Sequence, residues 1–403
     1  MEIRAKIKTL ARKIIPGAFR QSLRLLSMTL KRRMKRTDIS TIFQYDKELY
    51  WIDPRDIRYA AKKGLHIIEN KNKIIGGNWD RPFIEFSRLD VYASFKQRIE
   101  GGVLWQETPL YQRVLKQIQR GQEKWGCRNK ADLDKRCERL DAMIEDMRHN
   151  GYRAQGGEDE ITVNIDRDGL LLLNHGRHRL ACAKLLEIKK VPIKITARHK
   201  KWAVFKSEII RYAAVNAGKV YAPLPHIDLE NIPSQHERRF EIIKNNLDVP
   251  GGKMLDIGAH WGYFCHKFEE LGFECFAVEQ NEECFYYLEQ LRKSTGKRFH
   301  AVPENIFLFS QRMRDFDVVL ALSILHWFIR DKDTFAQLQQ FLGRLAVREM
   351  FFQPHAVEHT QMQESYRNFS PEEFVGFIIE NSCLNHYVLI GEEGGRKIYK
   401  IYK

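Results

Sequence analysis

The sequence has no apolar run that approaches the roughly 20 residues of a membrane-spanning helix, so it predicts a chain that does not cross a bilayer. Its seven cysteines are odd in number, are scattered and form no Cys-x-x-Cys pair, which argues against a disulfide framework and a zinc site. In residues 1–36, basic residues interrupt every stretch that would serve as the apolar part of a secretory signal. These absences predict a cytoplasmic protein without a metal site of its own.

The formal net charge of +15 is concentrated at one end of the sequence. Residues 1–36 contain twelve Lys or Arg and one Glu, a net charge of +11, so the other 367 residues carry only +4. A protein that reads nucleic acid with its folded surface is expected to have a broader basic surface. The sequence therefore favours nucleic acid less than other partners.

The basic arm at 1–36 has two amphipathic patterns separated by Pro16-Gly17. Apolar residues recur at helical spacing, first at Ile3, Ile7, Leu10 and Ile14 and then at Phe19, Leu23, Leu26 and Leu30. Two short basic helices of this kind bind an anionic membrane surface through their apolar faces and their Lys and Arg side chains. The alternatives are that the arm packs on its own domain or contacts nucleic acid.

A length of 403 residues and an apolar share of 43% predict two domains with extensions. Between about Val220 and Gln235, prolines lie in a segment without clear periodicity, which indicates a linker. The predicted parts are the arm at 1–36, a helical and then mixed region at 37–216, a linker at 217–236 and a second domain at 237–403.

The second domain alternates apolar runs with helical patterns, which predicts a parallel sheet covered by helices. The expected strands are 254–257, 274–278, 299–302, 316–322 and 345–351, followed by a hairpin near 387–390 and 397–402 around Gly394-Gly395. Between them, Ser370-Pro371-Glu372-Glu373 has the N-cap, the first-turn proline and the capping-box acid of a helix start. The fold class is α/β.

Four residues in the first strand-helix-strand unit have the spacing of a nucleotide site. Asp256 lies at the end of the first strand, Gly258 and Gly262 lie in the turn to the next helix, and Glu279 ends the second strand. Gly258 lets the backbone approach a ligand, while the free N–H groups of the helix attract a carboxylate. Asp256 can hold the turn or accept a hydrogen bond from an amino group, and Glu279 can accept from both ribose hydroxyls.

This pattern resembles the class I S-adenosylmethionine-dependent methyltransferases, whose first motif has the form acid-x-Gly-x-x-x-Gly. The resemblance implies a Rossmann-like seven-stranded sheet with a terminal hairpin and S-adenosyl-L-methionine as the cofactor. His260 stands where many members have a glycine, and Glu304-Asn305 would lie beside the adenine. The alternative is a nicotinamide-binding Rossmann unit, which the absence of Gly-x-Gly-x-x-Gly disfavours.

The run Leu322-Ser323-Ile324-Leu325-His326 follows the fourth strand, where this family places groups that face the methyl acceptor. His326 is the candidate base, with a purely structural histidine as the alternative. The run lacks the prolines found at this position in amino-methyltransferases of DNA bases. It resembles the methyltransferase half of the O-antigen chain-terminating kinase/methyltransferases, which implies a glycan, its phosphate or another envelope precursor as the acceptor.

A second motif lies in the first domain, where a hairpin of strands at 161–165 and 170–173 leads to Gly176-Arg177-His178-Arg179 at the start of a helix. Unpaired N–H groups and flanking guanidiniums bind phosphate well at such a place. The segment 140–199 resembles the ParB/sulfiredoxin-like superfamily, whose turn binds nucleotide phosphates. The resemblance implies that this domain binds ATP or another nucleotide with Mg2+. Kinase activity is one of the functions that such binding allows. The alternative for this helix is a solvated surface.

The two resemblances leave three functions open. The first is a methyltransferase that acts on a glycan precursor at the inner membrane face. The second is a ParB-like nucleic-acid module with methylation of nucleic acid or protein, and the third is a non-catalytic binding protein that keeps only the fold.

Overall fold

The computed structural model describes residues 40–61, 73–153, 160–363 and 365–403. Contacts group the chain into two compact units, of which the first ends at Ile210 and the second runs from Arg211 to Lys403. The arm predicted at 1–36 lies outside the described residues. Within the described ranges, no helix is both long and apolar enough to cross a membrane.

The first unit is built on a seven-stranded mixed sheet with the order β1-β7-β5-β6-β2-β4, in which β3 also pairs with β7. Its strands are β1 (Tyr50–Ile52), β2 (Tyr59–Ala61), β3 (Lys73–Ile75), β4 (Phe83–Glu85), β5 (Ile161–Ile165), β6 (Leu171–His175) and β7 (Val191–His199). Its helices are α1 (Asp90–Gly101), α2 (Pro109–Gln119), α3 (Lys130–Asn150), α4 (Arg177–Leu185) and α5 (Lys200–Val215), and the division between the units falls within α5.

The sequence patterns account for the longer elements of this unit. The helix α3 begins where the Asn129 side chain accepts a hydrogen bond from the Asp132 amide at 2.9 Å, and it ends at Gly151, whose φ is +69°. The antiparallel pair β5 and β6 is the predicted hairpin. The strands β1 to β4 escape prediction because each has three residues, too few for a two-residue alternation to stand out.

The second unit has a seven-stranded sheet with the order β10-β9-β8-β11-β12-β14-β13. Its strands are β8 (Lys253–Ile257), β9 (Glu274–Val278), β10 (His300–Val302), β11 (Asp315–Leu322), β12 (Ala346–Gln353), β13 (His386–Glu393) and β14 (Arg396–Tyr402). Its helices are α6 (Arg239–Lys244), α7 (Tyr263–Glu270), α8 (Glu282–Thr295), α9 (Ile306–Phe309), α10 (Lys332–Arg344) and α11 (Pro371–Glu380).

The direction of the strands in the second unit confirms the predicted class I methyltransferase fold. Strands β8 to β12 pair in parallel, while β14 runs antiparallel to both β12 and β13. Successive residues of β11 alternate between two apolar clusters, with Val319 and Ala321 in one and Val318 and Leu320 in the other. Because both faces are buried under helices, the strands are apolar along most of their length.

The segment predicted as a linker at 217–236 packs within the second unit. Val220, Leu229 and Ile232 are buried, and the Val220 amide donates to the Pro233 carbonyl at 2.8 Å. The prolines of this segment interrupt its regular secondary structure, but its apolar side chains remain buried. The capping box that opens α11 is present, since Ser370 and Glu373 exchange side-chain to backbone hydrogen bonds.

Candidate functional site

A cavity of about 670 Å³ lies at the edge of the second unit's sheet where the parallel strands end. The turn after β8 supplies Gly258 and His260, and Glu279 follows β9 directly. Glu304 lies in the connection after β10, and His326 lies in the connection after β11. Parallel α/β sheets bind ligands at this edge because the connecting loops converge there.

The turn after β8 brings the backbone close to its neighbours because it contains glycine. Gly258 has φ +69°, and a Cβ atom there would lie 2.7 Å from the Ile324 Cδ1 atom. Gly262, with φ +76°, lies behind the turn, where a Cβ would meet Leu288 and Phe299 at 3.2 Å. Only glycine can occupy position 258 without strain. The backbone of the turn, rather than a side chain, therefore faces the cavity at this position.

Asp256 is a buried carboxyl group with an unused acceptor. It is 3% exposed, and its Oδ2 atom has no hydrogen-bond partner among the described residues. Burial, together with the nearby Glu279, raises the pKa of Asp256 to about 7. It lies behind the cavity lining, next to the turn that carries Gly258. A ligand that donates a hydrogen bond to a buried acceptor of this kind stabilises the complex.

Glu279 holds the glycine turn and faces the cavity. Its Oε2 atom accepts a hydrogen bond from the His260 amide at 2.9 Å, and its Oε1 atom accepts from the Asn281 amide at 2.6 Å. Burial raises the pKa of this carboxyl, while these amides oppose the shift. A carboxylate has about four acceptor positions, so acceptor capacity remains for a ligand beyond these backbone amides.

His260 has a left-handed backbone, with φ +51°, a conformation that is uncommon for residues other than glycine. Its ring packs against Trp261 at 4.7 Å and against Tyr221 at 4.9 Å between centroids. Burial lowers the pKa of His260 to about 3, so the ring is neutral at physiological pH. The histidine thus preserves the turn and closes one side of it with an aromatic group.

Of the two neighbours Glu304 and Asn305, the first lines the cavity and the second stabilises the start of a helix. Glu304 lines the cavity and forms an ion pair with Arg312 at 2.6 Å. The Asn305 side chain caps α9 by accepting from the Phe307 amide at 2.8 Å, and it donates to the Gln280 Oε1 atom at 3.1 Å. Asn305 and Gly262 are not part of the lining.

His326 lines the cavity from the connection that follows β11. It is 3% exposed, and neither ring nitrogen has a hydrogen-bond partner in the part of the chain described. Burial lowers the pKa of His326 to about 4, so the ring is neutral and available as a proton acceptor near pH 7. The ring of His355 lies 4.3 Å away between centroids, and the ring of His359 lies 4.2 Å beyond it.

The structure adds lining residues that the sequence patterns missed. His355 and His359 come from the loop after β12, Tyr221 and His236 precede the sheet, and Arg396 begins β14. No local motif marks them, because each reaches the cavity through the topology of the sheet. They line the same cavity as Gly258, Glu279 and His326.

A second cavity, of about 820 Å³, lies within the first unit and is lined by the predicted turn Gly176 to Arg179. Gly176 has φ +91°, and a Cβ there would lie 2.9 Å from the Ile161 Cα atom. Seven Lys or Arg side chains and two Asp side chains line it. The cationic residues are Arg113, Lys124, Arg136, Arg139, Arg153, Arg177 and Arg179. The cavity is therefore strongly cationic.

His178 is the neutral member of this cationic wall. Its ring stacks on Phe95 at 5.7 Å and meets the edge of Trp125 at 4.9 Å between centroids. Burial lowers the pKa of His178 to about 4, and the charges of Arg136 and Arg177 add to the shift. The residue therefore serves as part of the wall's aromatic packing.

No protein-family model matches the sequence, and no curated protein is a significant match to it. Among solved structures, monomeric WbdD is 17% identical with a TM-score of 0.38, and the match covers 48% of each chain. WbdD is a bifunctional kinase-methyltransferase. The N-methyltransferase NodS from Bradyrhizobium japonicum WM9 is 14% identical with a TM-score of 0.34, and the match covers 41% of this chain and 92% of NodS.

The 16S rRNA N2 G1207 methyltransferase RsmC of T. thermophilus, in complex with AdoMet and guanosine, is 15% identical with a TM-score of 0.31 over 41% of each chain. The chain matches about half the length of the WbdD structures. The fold assignment rests on the strand order of the sheet itself.

Proposed function

We propose that residues 237–403 form an S-adenosyl-L-methionine-dependent methyltransferase. The observation that carries the proposal is the convergence of three features at one sheet edge: the glycine turn at Gly258, the ribose-type acid Glu279 and the unpartnered carboxyl of Asp256. These residues fit the cofactor, which has a sugar diol for Glu279 and an ammonium group for Asp256. When bound there, the cofactor supplies an electrophilic methyl group.

The residues of the chain would bind and align the reactants. Glu279 would accept hydrogen bonds from the ribose hydroxyls, and Glu304, which also lines the cavity, would lie beside the nucleoside. The backbone at Gly258 permits close approach of the amino-acid portion. Most of the rate enhancement in an in-line displacement comes from such alignment.

His326 is the proposed general base for an acceptor hydroxyl. Its neutral ring can receive the proton that the hydroxyl loses as the new bond forms, with the proton passing to a ring nitrogen. A phosphate oxygen is already ionised and needs no base, so the effect of His326→Ala distinguishes the two acceptor types. The proposed acceptor is a glycan, its phosphate or another envelope precursor.

For the first unit, we infer that the cationic cavity binds a nucleotide phosphate, as the ParB/sulfiredoxin-like resemblance implies. The excess of cationic side chains in its lining and the glycine-opened start of α4 support this inference. ATP or another nucleotide with Mg2+ is the proposed ligand. Transfer of phosphate to a glycan followed by methylation of the product would join the two units' activities.

The remaining proposals concern partners and location. The arm at 1–36 would hold the protein at the cytoplasmic face of an anionic membrane, and salt-sensitive binding to anionic liposomes tests this. The alternative, a ParB-like module that binds nucleic acid, is disfavoured by the small net charge outside the arm.

One experiment separates these functions. The protein is incubated with methyl-labelled S-adenosyl-L-methionine and γ-labelled ATP in the presence of lipid-linked glycans, DNA or RNA. Methyl label in the glycan fraction supports the first function. Label in nucleic acid alone contradicts it, and label in none of the fractions favours a non-catalytic protein.

A variant series tests the assignment of two sites by calorimetry. Asp256→Ala and Glu279→Ala should abolish binding of the cofactor, because each removes a group that contacts it. Arg177→Ala, in the other cavity, should leave this binding unchanged and weaken binding of ATP. Equal loss of cofactor binding in all three variants contradicts the assignment.

A further inference from the structure

The end of the cavity next to the glycine turn has a positively charged wall that the sequence motifs do not account for. Arg396 lines the cavity at the start of β14, directly after the tight turn of the terminal hairpin. Its Nη1 atom donates to the Ser323 hydroxyl at 2.7 Å, and its Nη2 atom lies 3.0 Å from the His236 Nε2 atom. These two contacts fix the guanidinium at the edge of the sheet.

A second guanidinium lies behind the first and is poorly compensated. Arg239 is 1% exposed, and its Nε and Nη2 atoms have no hydrogen-bond partner among the described residues. The carboxylate of Glu393 lies 3.5 Å from its Nε atom and 3.8 Å from the His236 Nδ1 atom. Burial lowers the pKa of His236 to about 3, so this histidine adds no charge.

The cluster of Arg239, Arg396, His236 and Glu393 therefore carries one net positive charge in a buried place. Burying a charge without a partner is costly, and an incoming anion recovers much of that cost. Burial and the charge of Arg239 lower the pKa of Arg396, because too little negative charge lies nearby to balance the two guanidiniums. The wall thus favours an anionic group of a ligand.

Two observations connect this anion site to the cofactor. The Tyr221 hydroxyl accepts from the Arg239 Nη1 atom at 3.1 Å, while the Tyr221 ring packs on His260 in the glycine turn at 4.9 Å. The unpartnered Oδ2 atom of Asp256 lies within electrostatic range of Arg239. The guanidinium of Arg396 in the lining, the undercompensated Arg239 near it and the unused buried carboxyl of Asp256 next to the lining residue Gly258 are together complementary to an α-amino acid zwitterion.

The other candidate for the carboxylate is the start of α7, which the sequence pattern favours. No residue from Trp261 to Glu270 lines the cavity, whereas Arg396 does. A helix end that lies outside the lining offers the ligand less than a guanidinium inside it.

Resting on the proposed methyltransferase function, we propose that Arg396 binds the carboxylate of the cofactor's methionine portion, with Arg239 as a positioning residue that maintains the positive charge behind it. A phosphate or carboxylate of the methyl acceptor has the same chemistry and is the competing occupant.

The test compares two ligands that differ in the amino-acid portion. S-adenosylhomocysteine has the carboxylate and the ammonium group, and 5′-methylthioadenosine has neither. Calorimetry is performed with the wild type, Arg396→Gln and Arg396→Lys, and with Lys397→Gln as a matched control on the same strand, where Lys397 pairs with Glu372 at the surface. Thermal unfolding of each variant shows that it is folded.

In Arg396→Gln, binding of S-adenosylhomocysteine should weaken on the order of tenfold to a hundredfold, because a charge-assisted hydrogen bond is lost. Binding of 5′-methylthioadenosine should stay unchanged, Arg396→Lys should recover part of the affinity, and Lys397→Gln should match the wild type. Equal weakening of both ligands overturns the inference. Unchanged binding of both together with a raised KM for the acceptor also overturns it, in favour of the acceptor's anion.

Failure of the methyltransferase proposal has a different signature. A wild-type protein that binds neither ligand overturns the proposed function and this inference together. A wild type that binds both ligands, with no difference between them in Arg396→Gln, overturns the inference alone.

Discussion

Binding of the cofactor should release a proton, because Asp256 must ionise to receive an ammonium group. The pKa of Asp256 is raised to about 7 by burial and by Glu279, so the ligand-free protein is about half protonated at this carboxyl at pH 7. If the bound ammonium holds the carboxylate ionised, binding at pH 7 releases about half a proton, and at pH 6 about nine-tenths of a proton. Affinity should fall about tenfold from pH 8 to pH 6, since the protonated fraction must first ionise.

The measurement is isothermal titration of S-adenosylhomocysteine in two buffers that differ in ionisation enthalpy. The difference in apparent enthalpy gives the number of protons released. Two controls should release none: 5′-methylthioadenosine, which has no ammonium group, and the variant Asp256→Asn, which has no titratable group at this position. Release of the same number of protons from Asp256→Asn would refute the reasoning, since the proton would then come from another residue.

Three further predictions concern the glycines and the buried ion pair. Gly258→Ala should destabilise the second unit by about 2–4 kcal/mol in thermal unfolding, from left-handed strain and overlap with Ile324, and Ile324→Ala in the same chain should recover the part due to overlap. Gly176→Ala should lower affinity for ATP in calorimetry while cofactor binding is unchanged, since the added Cβ meets strand backbone. Lys400→Met should cost about 3–5 kcal/mol in chemical denaturation because it leaves Glu349 buried without its partner at 2.8 Å, and the double variant with Glu349→Met should be more stable than the single one.

The strand order of the second unit was predictable because its strands have local apolar signatures. The strand at 274–278 coincides with β9, and the capping box at Ser370 marks the start of α11 within one residue. In the first unit, the same approach found the hairpin of β5 and β6. It could not detect β1 to β4, whose pairing depends on partners distant in the sequence.

The linker prediction shows a different limit of sequence patterns. Three prolines and a lack of periodicity are common to exposed linkers and to irregular segments that are packed. The burial of Val220 and Ile232, and the position of Tyr221 in the cavity wall, follow from apolar residues at irregular spacing. Periodicity alone cannot distinguish the two cases, because it measures only regular structure.

Asp256, Gly258 and Glu279 could be predicted from sequence because a single strand-helix-strand unit holds them at fixed spacing. Arg396 was missed, although the predicted topology contained the information. An antiparallel strand beside β12 begins where β12 ends, so the first residue of β14 must lie at the carboxyl edge of the parallel strands. The Gln353 side chain, at the end of β12, donates to the Arg396 carbonyl at 3.3 Å, which places the two ends together. In a sheet of this order, the first residue of the last strand therefore lies at the edge where parallel α/β sheets bind their ligands, and Arg396 lines the cavity there.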